Sequence, residues 1–221
     1  MDSFASIEQR AAERKGGAAA LEDILPKPAK DAALRKRPDD RYLAEMTKCV
    51  FRSGFVWQII ENKWPGFEAA FDGFDVSTAA MLSDEDLERL GSDERIVRNA
   101  PKIRTVRGNA QFIREIRDEH GSFGAFLAGW PREDFVGMWD VLKRRGERLG
   151  GQTGRFFLRF VGWDTPVLSP DVVAALVGQG VVEKNPTSAK ALKAVQAAFN
   201  TWHEESGRPF CQISRILSAT I

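Results

Sequence analysis

Lys143-Arg144-Arg145-Gly146-Glu147-Arg148-Leu149-Gly150-Gly151-Gln152-Thr153-Gly154-Arg155 is the stretch that decides the fold. A basic helix end is followed by a six-residue link, Leu149 to Gly154, that holds three glycines, and a second helix is expected to begin near Arg155. Glycine destabilises a helix interior, so three of them in so short a link need a reason. One reason is close approach. With no Cβ at Gly150, Gly151 and Gly154, and with Gln152 and Thr153 between them, peptide N–H groups at the start of the second helix can face a phosphate, where the helix dipole favours negative charge. Arg145, Arg148 and Arg155 then add local positive charge. A plain turn between two helices, closed by a glycine cap, is the alternative that the glycines by themselves leave open.

Working outward, Pro131 opens a helix through Phe135, Met138, Trp139 and Leu142, and the apolar run from Phe156 to Val161 gives the second hairpin helix a buried face. Ser169-Pro170-Asp171 sets an N-cap before a proline at the first helical position. Pro186-Thr187 starts a long helix through Leu192, Val195, Phe199 and Trp202, and Pro209 starts a last one. Towards the N-terminus, Pro101 begins a helix through Ile103, Val106, Ala110, Ile113 and Ile116, and Ser83-Asp84-Glu85-Asp86 has the spacing of a capping box. From Asp39-Asp40, the residues Leu43, Met46, Val50, Trp57 and Ile60 recur at helical spacing, which predicts a core helix. Residues 1–38, broken at Gly16-Gly17 and Pro26-Lys27-Pro28, read as an N-terminal arm, mobile or carrying an ancillary helix, and a linker; residues 39–221 read as the folded domain. No segment alternates with period two long enough to demand a strand, so the expected class is all-α.

Composition excludes little but excludes it firmly. With 221 residues and 43% hydrophobic side chains the chain can bury one substantial core or two small lobes. Lys and Arg total 32 against 31 Asp and Glu, so affinity for a polyanion has to come from local clustering. Cys49 and Cys211 form no CxxC pair, which argues against a disulfide scaffold and a zinc cluster and fits a reducing cytoplasm. No stretch approaches the roughly 20 uninterrupted apolar residues of a membrane helix, and no signal peptide is evident.

Several ordered blocks carry a resemblance. Leu149 to Gly154, Phe157-Leu158-Arg159-Phe160-Val161-Gly162-Trp163-Asp164 and Val167-Leu168-Ser169-Pro170-Asp171-Val172 are similar to the hairpin, second helix and following loop of helix-hairpin-helix DNA glycosylases. Upstream, Phe71-Asp72-Gly73-Phe74-Asp75-Val76, Asp86-Leu87-Glu88-Arg89-Leu90, Ile96-Val97-Arg98-Asn99 and Lys102 to Ala110 resemble, in order, the conserved blocks of the 3-methyladenine DNA glycosylase I family, and Ser53-Gly54-Phe55-Val56-Trp57 resembles its Gly-Leu-Ser-Trp block. The resemblance covers roughly residues 40 to 180. It implies a two-lobed helical protein that binds duplex DNA containing alkylated bases, rotates one nucleotide out of the stack and hydrolyses its N-glycosidic bond. It further implies a DNA repair enzyme that needs no cofactor, and a monomer is expected.

Where the sequence departs from that family, the departures fall on chemistry. The only histidines are His120 and His203, no cysteine motif precedes the domain, and Asp171 stands near the position of a zinc-ligand histidine, so no metal is expected. The family glutamate that contacts the flipped base aligns with Cys49, and Glu45 lies one helical turn earlier on the same face. The superfamily's catalytic aspartate aligns with Ser169, with Asp171 two residues beyond. Among aromatic candidates for the base, Trp57 offers a stacking face. Tyr42, the single tyrosine, and Phe55 stand near it in sequence, whereas Phe156, Phe157 and Phe160 are expected in the core. An enzyme releasing alkylated purines such as 3-methyladenine and a catalytically impaired relative that only binds DNA or damage both remain open.

Overall fold

In the computed structural model, which describes residues 1–221, helices and connections account for the whole chain and there is no strand. The α-helices in order are α1 (Phe4–Lys15), α2 (Ala18–Asp23), α3 (Asp31–Lys36), α4 (Asp39–Arg52), α5 (Trp57–Ala70), α6 (Val76–Ala80) and α7 (Asp84–Gly91). They continue with α8 (Ala100–His120), α9 (Phe123–Gly129), α10 (Phe135–Arg145), α11 (Gly151–Phe160), α12 (Pro170–Gly178), α13 (Ala189–Ser206) and α14 (Phe210–Ala219). The helix-start signals act as their chemistry requires. The Ser83 hydroxyl accepts from the Asp86 N–H at 3.1 Å while the Asp86 carboxylate accepts from the Ser83 N–H at 3.0 Å, and Asn99 caps α8 ahead of Pro101. The chain divides into two compact units, residues 1–29, 131–138 and 162–221 in the first and residues 30–130 and 139–161 in the second.

Of the two forms left open for the N-terminus, the first unit shows the helical one and overturns the mobile arm. Phe4, Ile7 and Ala11 recur at helical spacing and are wholly buried, with α1 packed on α14. The Gly16-Gly17 pair is the cap of α1: Gly16 adopts φ +89° and the Gly17 N–H reaches the Ala12 carbonyl at 2.8 Å. The apparent boundary at residue 38 therefore falls inside folded chain, because Leu34 of α3 is buried as well, in the second unit. The rest of the first unit is built on Phe135, Phe199, Trp202 and Phe210, and the Asp164 carboxylate caps α14 through the N–H groups of Phe210 and Cys211 at 3.0 and 2.8 Å.

In the second unit, α4 lies against α8, burying Leu43, Met46 and Val50 from one side and Ile103, Val106 and Ile113 from the other. The expected helix from Asp39 through Ile60 is two helices. Ser53 to Val56 interrupt it, with Gly54 at φ +76°, and the break turns Trp57 outward while Ile60 remains in the core. Asn109 of α8 fixes the hairpin: its side chain donates to the Glu147 carbonyl at 3.2 Å and accepts from the Glu147 N–H at 2.8 Å. A Cβ on the neighbouring Gly108 would lie 2.1 Å from the Glu147 carboxylate. Gly108-Asn109 thus pairs a close approach with a polar clamp, which accounts physically for that sequence block.

Candidate functional site

The second unit contains a cavity of about 190 Å³ walled by three helices and the turn between two of them. Helix α4 contributes Cys49 and Arg52, the α4–α5 turn contributes Ser53 and Gly54, α5 contributes Trp57, and α11 contributes Gln152, Thr153, Phe156 and Phe160. Its size suits one fused ring system, since pockets for larger organic ligands run to about 300–1,000 Å³. Trp57 is 44% exposed, a large apolar surface left in contact with solvent at the start of a helix. Its ring stands edge-on to Phe156 at 5.7 Å and to Phe160 at 6.0 Å, and these two phenyl rings stack on each other at 5.7 Å. Phe156 and Phe160 are therefore cavity walls rather than core, a correction to the sequence reading; Phe157 alone of the three is fully buried.

Arg52 is the residue that sequence reasoning missed. Its guanidinium lies 5.0 Å from the ring centroids of both Trp57 and Phe160. Nε and Nη2 donate to one carboxylate oxygen of Glu61, and Nη1 is 3.6 Å from Glu45, beyond hydrogen-bond distance. The other Glu61 oxygen pairs with Lys48 at 2.7 Å. Glu45 does not line the cavity; it accepts from the Cys49 thiol at 3.6 Å and sits behind it. Burial, and then the adjacent Glu45 carboxylate, push the Cys49 thiol well above its ordinary range, so it stays protonated and is no nucleophile.

The lip of the cavity is held by a buried lysine. Lys102, only 6% exposed, donates to the carbonyls of Phe51, at 3.1 Å, and Ser53, which end α4, and its ammonium lies 4.5 Å from the Phe55 ring centroid. Desolvation, aided by Arg148, lowers the Lys102 pKa. Phe55 accordingly covers Lys102 and is not part of the cavity wall. Tyr42 is not there either. It is 0% exposed, donates to the Leu34 carbonyl at 2.8 Å and packs on Phe123, and burial raises its pKa to about 12.

At the hairpin the six-residue link shortens. Helix α11 begins at Gly151, so Gln152, Thr153 and Gly154 lie in its first turn and Gly150 is the N-cap. The glycines also divide their roles. A Cβ on Gly154 would meet the Leu149 carbonyl oxygen at 2.1 Å, and one on Gly150 would touch Lys143, whereas Gly151 faces open space at φ +60°. Of the three, only Gly151 has open space where a Cβ would stand, and a β-branched residue there would strain the chain as well as fill that space. Arg145 is tied to Glu119 at 2.7 Å and to Glu115 at 3.2 Å. Arg155 lies 4.2 Å over Trp139, with its pKa pushed down to about 10 by burial; Arg148 is exposed, at φ +57°.

Ser169 and Asp171 belong to the first unit. The Ser169 hydroxyl caps α12 through the Val172 N–H at 3.3 Å, and Asp171 accepts from the Ser218 hydroxyl at 3.4 Å. The residues present do not fit the zinc that the family resemblance implies. Cys211 is directed to the Pro26 carbonyl, His203 Nδ1 donates to the Arg208 carbonyl at 2.7 Å, His120 lies beside Glu119, and no three His, Cys, Asp or Glu side chains converge on a metal position.

Residues 34–143 match the methyladenine glycosylase family, and they carry the α4–α5 half of the cavity. The chain belongs to that family. Among its relatives, DNA-3-methyladenine glycosylase 1 of Escherichia coli (strain K12) is 30% identical over 76 residues, which is 34% of this chain and 41% of the relative's length. The match thus spans less than half of that protein. A mutant of 3-methyladenine DNA glycosylase I from Staphylococcus aureus superposes with a TM-score of 0.53 at 21% identity, over 66% of this chain and 86% of the other. The Methanocaldococcus jannaschii 8-oxoguanine DNA glycosylase gives 0.55 at 13% identity, over 95% and 90%. These likenesses establish the helical glycosylase fold. No helix is long and apolar enough to cross a membrane.

Proposed function

We propose that this protein is a monofunctional DNA glycosylase that releases a modified purine, flipped from duplex DNA into the cavity beside Trp57. The observation that supports this best is a base-sized cavity with three aromatic walls, whose α4–α5 side lies in the part of the chain that carries the family match. A purine in contact with the Trp57, Phe156 and Phe160 rings gains stacking energy that no particular base edge is needed to obtain. The reaction is a hydrolysis. Water's oxygen bonds to C1′, the bonding pair leaves on the purine nitrogen, and the proton released by water ends on the departing base. No lysine lines the cavity, so strand cleavage through an amine adduct is not part of the proposal. DNA would be held at the open N–H groups near Gly151, with Thr153 and Arg148 beside them and the protein acting as a monomer.

The test is chromatographic detection of free base from alkylated and otherwise modified duplex DNA at stoichiometric protein. Release of base without strand breaks supports the proposal. Tight binding with no release from any substrate would favour the second reading, a binding protein without turnover, which Cys49 in place of the family carboxylate supports.

A further inference from the structure

We infer that the base taken into this cavity is a neutral purine presenting an acceptor edge, of the 6-oxopurine type, and that Arg52 reads that edge; the inference rests on the glycosylase proposal. The cavity wall holds one charged side chain, Arg52, and no carboxylate. Glu61 and Glu45 balance the guanidinium from behind, but neither lines the space a base would fill. A cationic N-methylpurine would therefore enter against a guanidinium at short range, with the balancing carboxylates farther away, in surroundings where screening is poor. It would also have to share the ring faces of Trp57 and Phe160 with a cation already 5.0 Å from each.

The donors point to what fits instead. Of the five guanidinium N–H groups, Glu61 engages those on Nε and one on Nη2, and Nη1 makes no hydrogen bond. A guanidinium with donors to spare matches the O6 and N7 acceptors of a 6-oxopurine; the amino group of adenine would meet donor with donor. The chemistry of departure agrees. A cationic purine leaves as a neutral molecule and gains little from a nearby positive charge. A neutral purine leaves with negative charge building on the ring until water's proton arrives, and a guanidinium at its O6/N7 edge stabilises that charge where it develops. Arg52 is thus suited to assist a neutral leaving group.

Two measurements on the full chain test this. In the first, Trp57 fluorescence is followed with three free probes: hypoxanthine, adenine, and 7,9-dimethylguaninium as a permanent cation, with Trp57→Phe identifying the responding indole. Hypoxanthine is expected to bind about tenfold or more tightly than either other probe, the discrimination of one good bidentate arginine contact. Arg52→Gln is expected to erase that preference, and Arg52→Lys to keep only part of it. Equal binding of the three probes by the parent protein overturns the inference, whatever the variants do. In the second, base release is compared between duplexes holding hypoxanthine or xanthine and duplexes holding 3-methyladenine or 7-methylguanine. Preferential release of the oxopurines supports the inference. Preferential release of the methylated cations overturns it and leaves the glycosylase proposal standing; absence of all release, with hypoxanthine still preferred in the first measurement, overturns turnover and leaves the base-reading role of Arg52 intact.

Discussion

The hairpin and the cavity are both built around arginines, and the two regions use them in opposite ways. At the hairpin, Arg145 is bound to two glutamates and Arg155 lies over Trp139, so two of the three arginines that look poised for phosphate are structural. In the cavity, Arg52 is also paired and stacked, yet its Nη1 makes no hydrogen bond and the side chain lines the cavity. Availability is decided by what the neighbouring helix supplies, and that depends on tertiary packing rather than on the run of basic residues in which an arginine sits.

Changes that break one region and spare the other sharpen this contrast. The largest effect is expected at the hairpin from Gly154→Ala, which sets a methyl group against the Leu149 carbonyl. Destabilisation of about 2 kcal/mol or more should appear in urea unfolding, and an unchanged midpoint would remove the packing role assigned to Gly154. In the cavity, Trp57→Ala is expected to lower base release roughly tenfold to a hundredfold while duplex affinity falls no more than about threefold, as loss of one stacking surface requires. Single-turnover rates and binding isotherms together separate the two; a parallel loss in both would place Trp57 on the DNA-binding surface instead.

Installing a carboxylate beside Arg52 inverts the cavity's electrostatics. Cys49→Glu should move the ratio of cationic to neutral base release about tenfold towards the cation, a shift of roughly 1.4 kcal/mol between the two transition states. The ratio staying where it was would mean that the side chain at position 49 does not face the base. The smallest effects return to the hairpin. Arg148→Ala should reduce the slope of log affinity against log salt by about 0.9, one phosphate contact, whereas Arg145→Ala should leave the slope unchanged because Glu115 and Glu119 already neutralise that charge.

How much of this was legible in the sequence follows the same division. Local signals were read well, because a capping box, a proline at a helix start or a glycine-rich turn acts within a few residues: Ser83 to Asp86, Asn99 with Pro101 and Ser169 with Pro170 all begin helices. Trp57 was found, but as one more position in a continuous apolar pattern, since the break at Ser53 to Val56 has only one glycine to announce it. Tyr42 and Phe55 were drawn to the site by proximity in sequence, and the structure sends one to the core and the other onto Lys102. Arg52 was invisible because its role depends on Phe160, more than a hundred positions away, and nothing nearby distinguishes it among 32 Lys and Arg. The N-terminal helices were misjudged because their apolar stripe is short and is closed by the same Gly-Gly pair that, in a sequence, suggests a linker.

Lys102 reaches back 49 and 51 residues to the carbonyls that end α4, and this gives the site an order of assembly. The turn that carries Gly54 and leads into Trp57 has no such anchor until α8 has docked, so α4 and α5 can be helical while the cavity mouth is still unformed. A nascent chain stopped short of Lys102 would carry Phe55, Val56, Trp57 and Ile59 on an unanchored turn, and the arrival of one ammonium group would fix that turn while leaving the four side chains partly exposed.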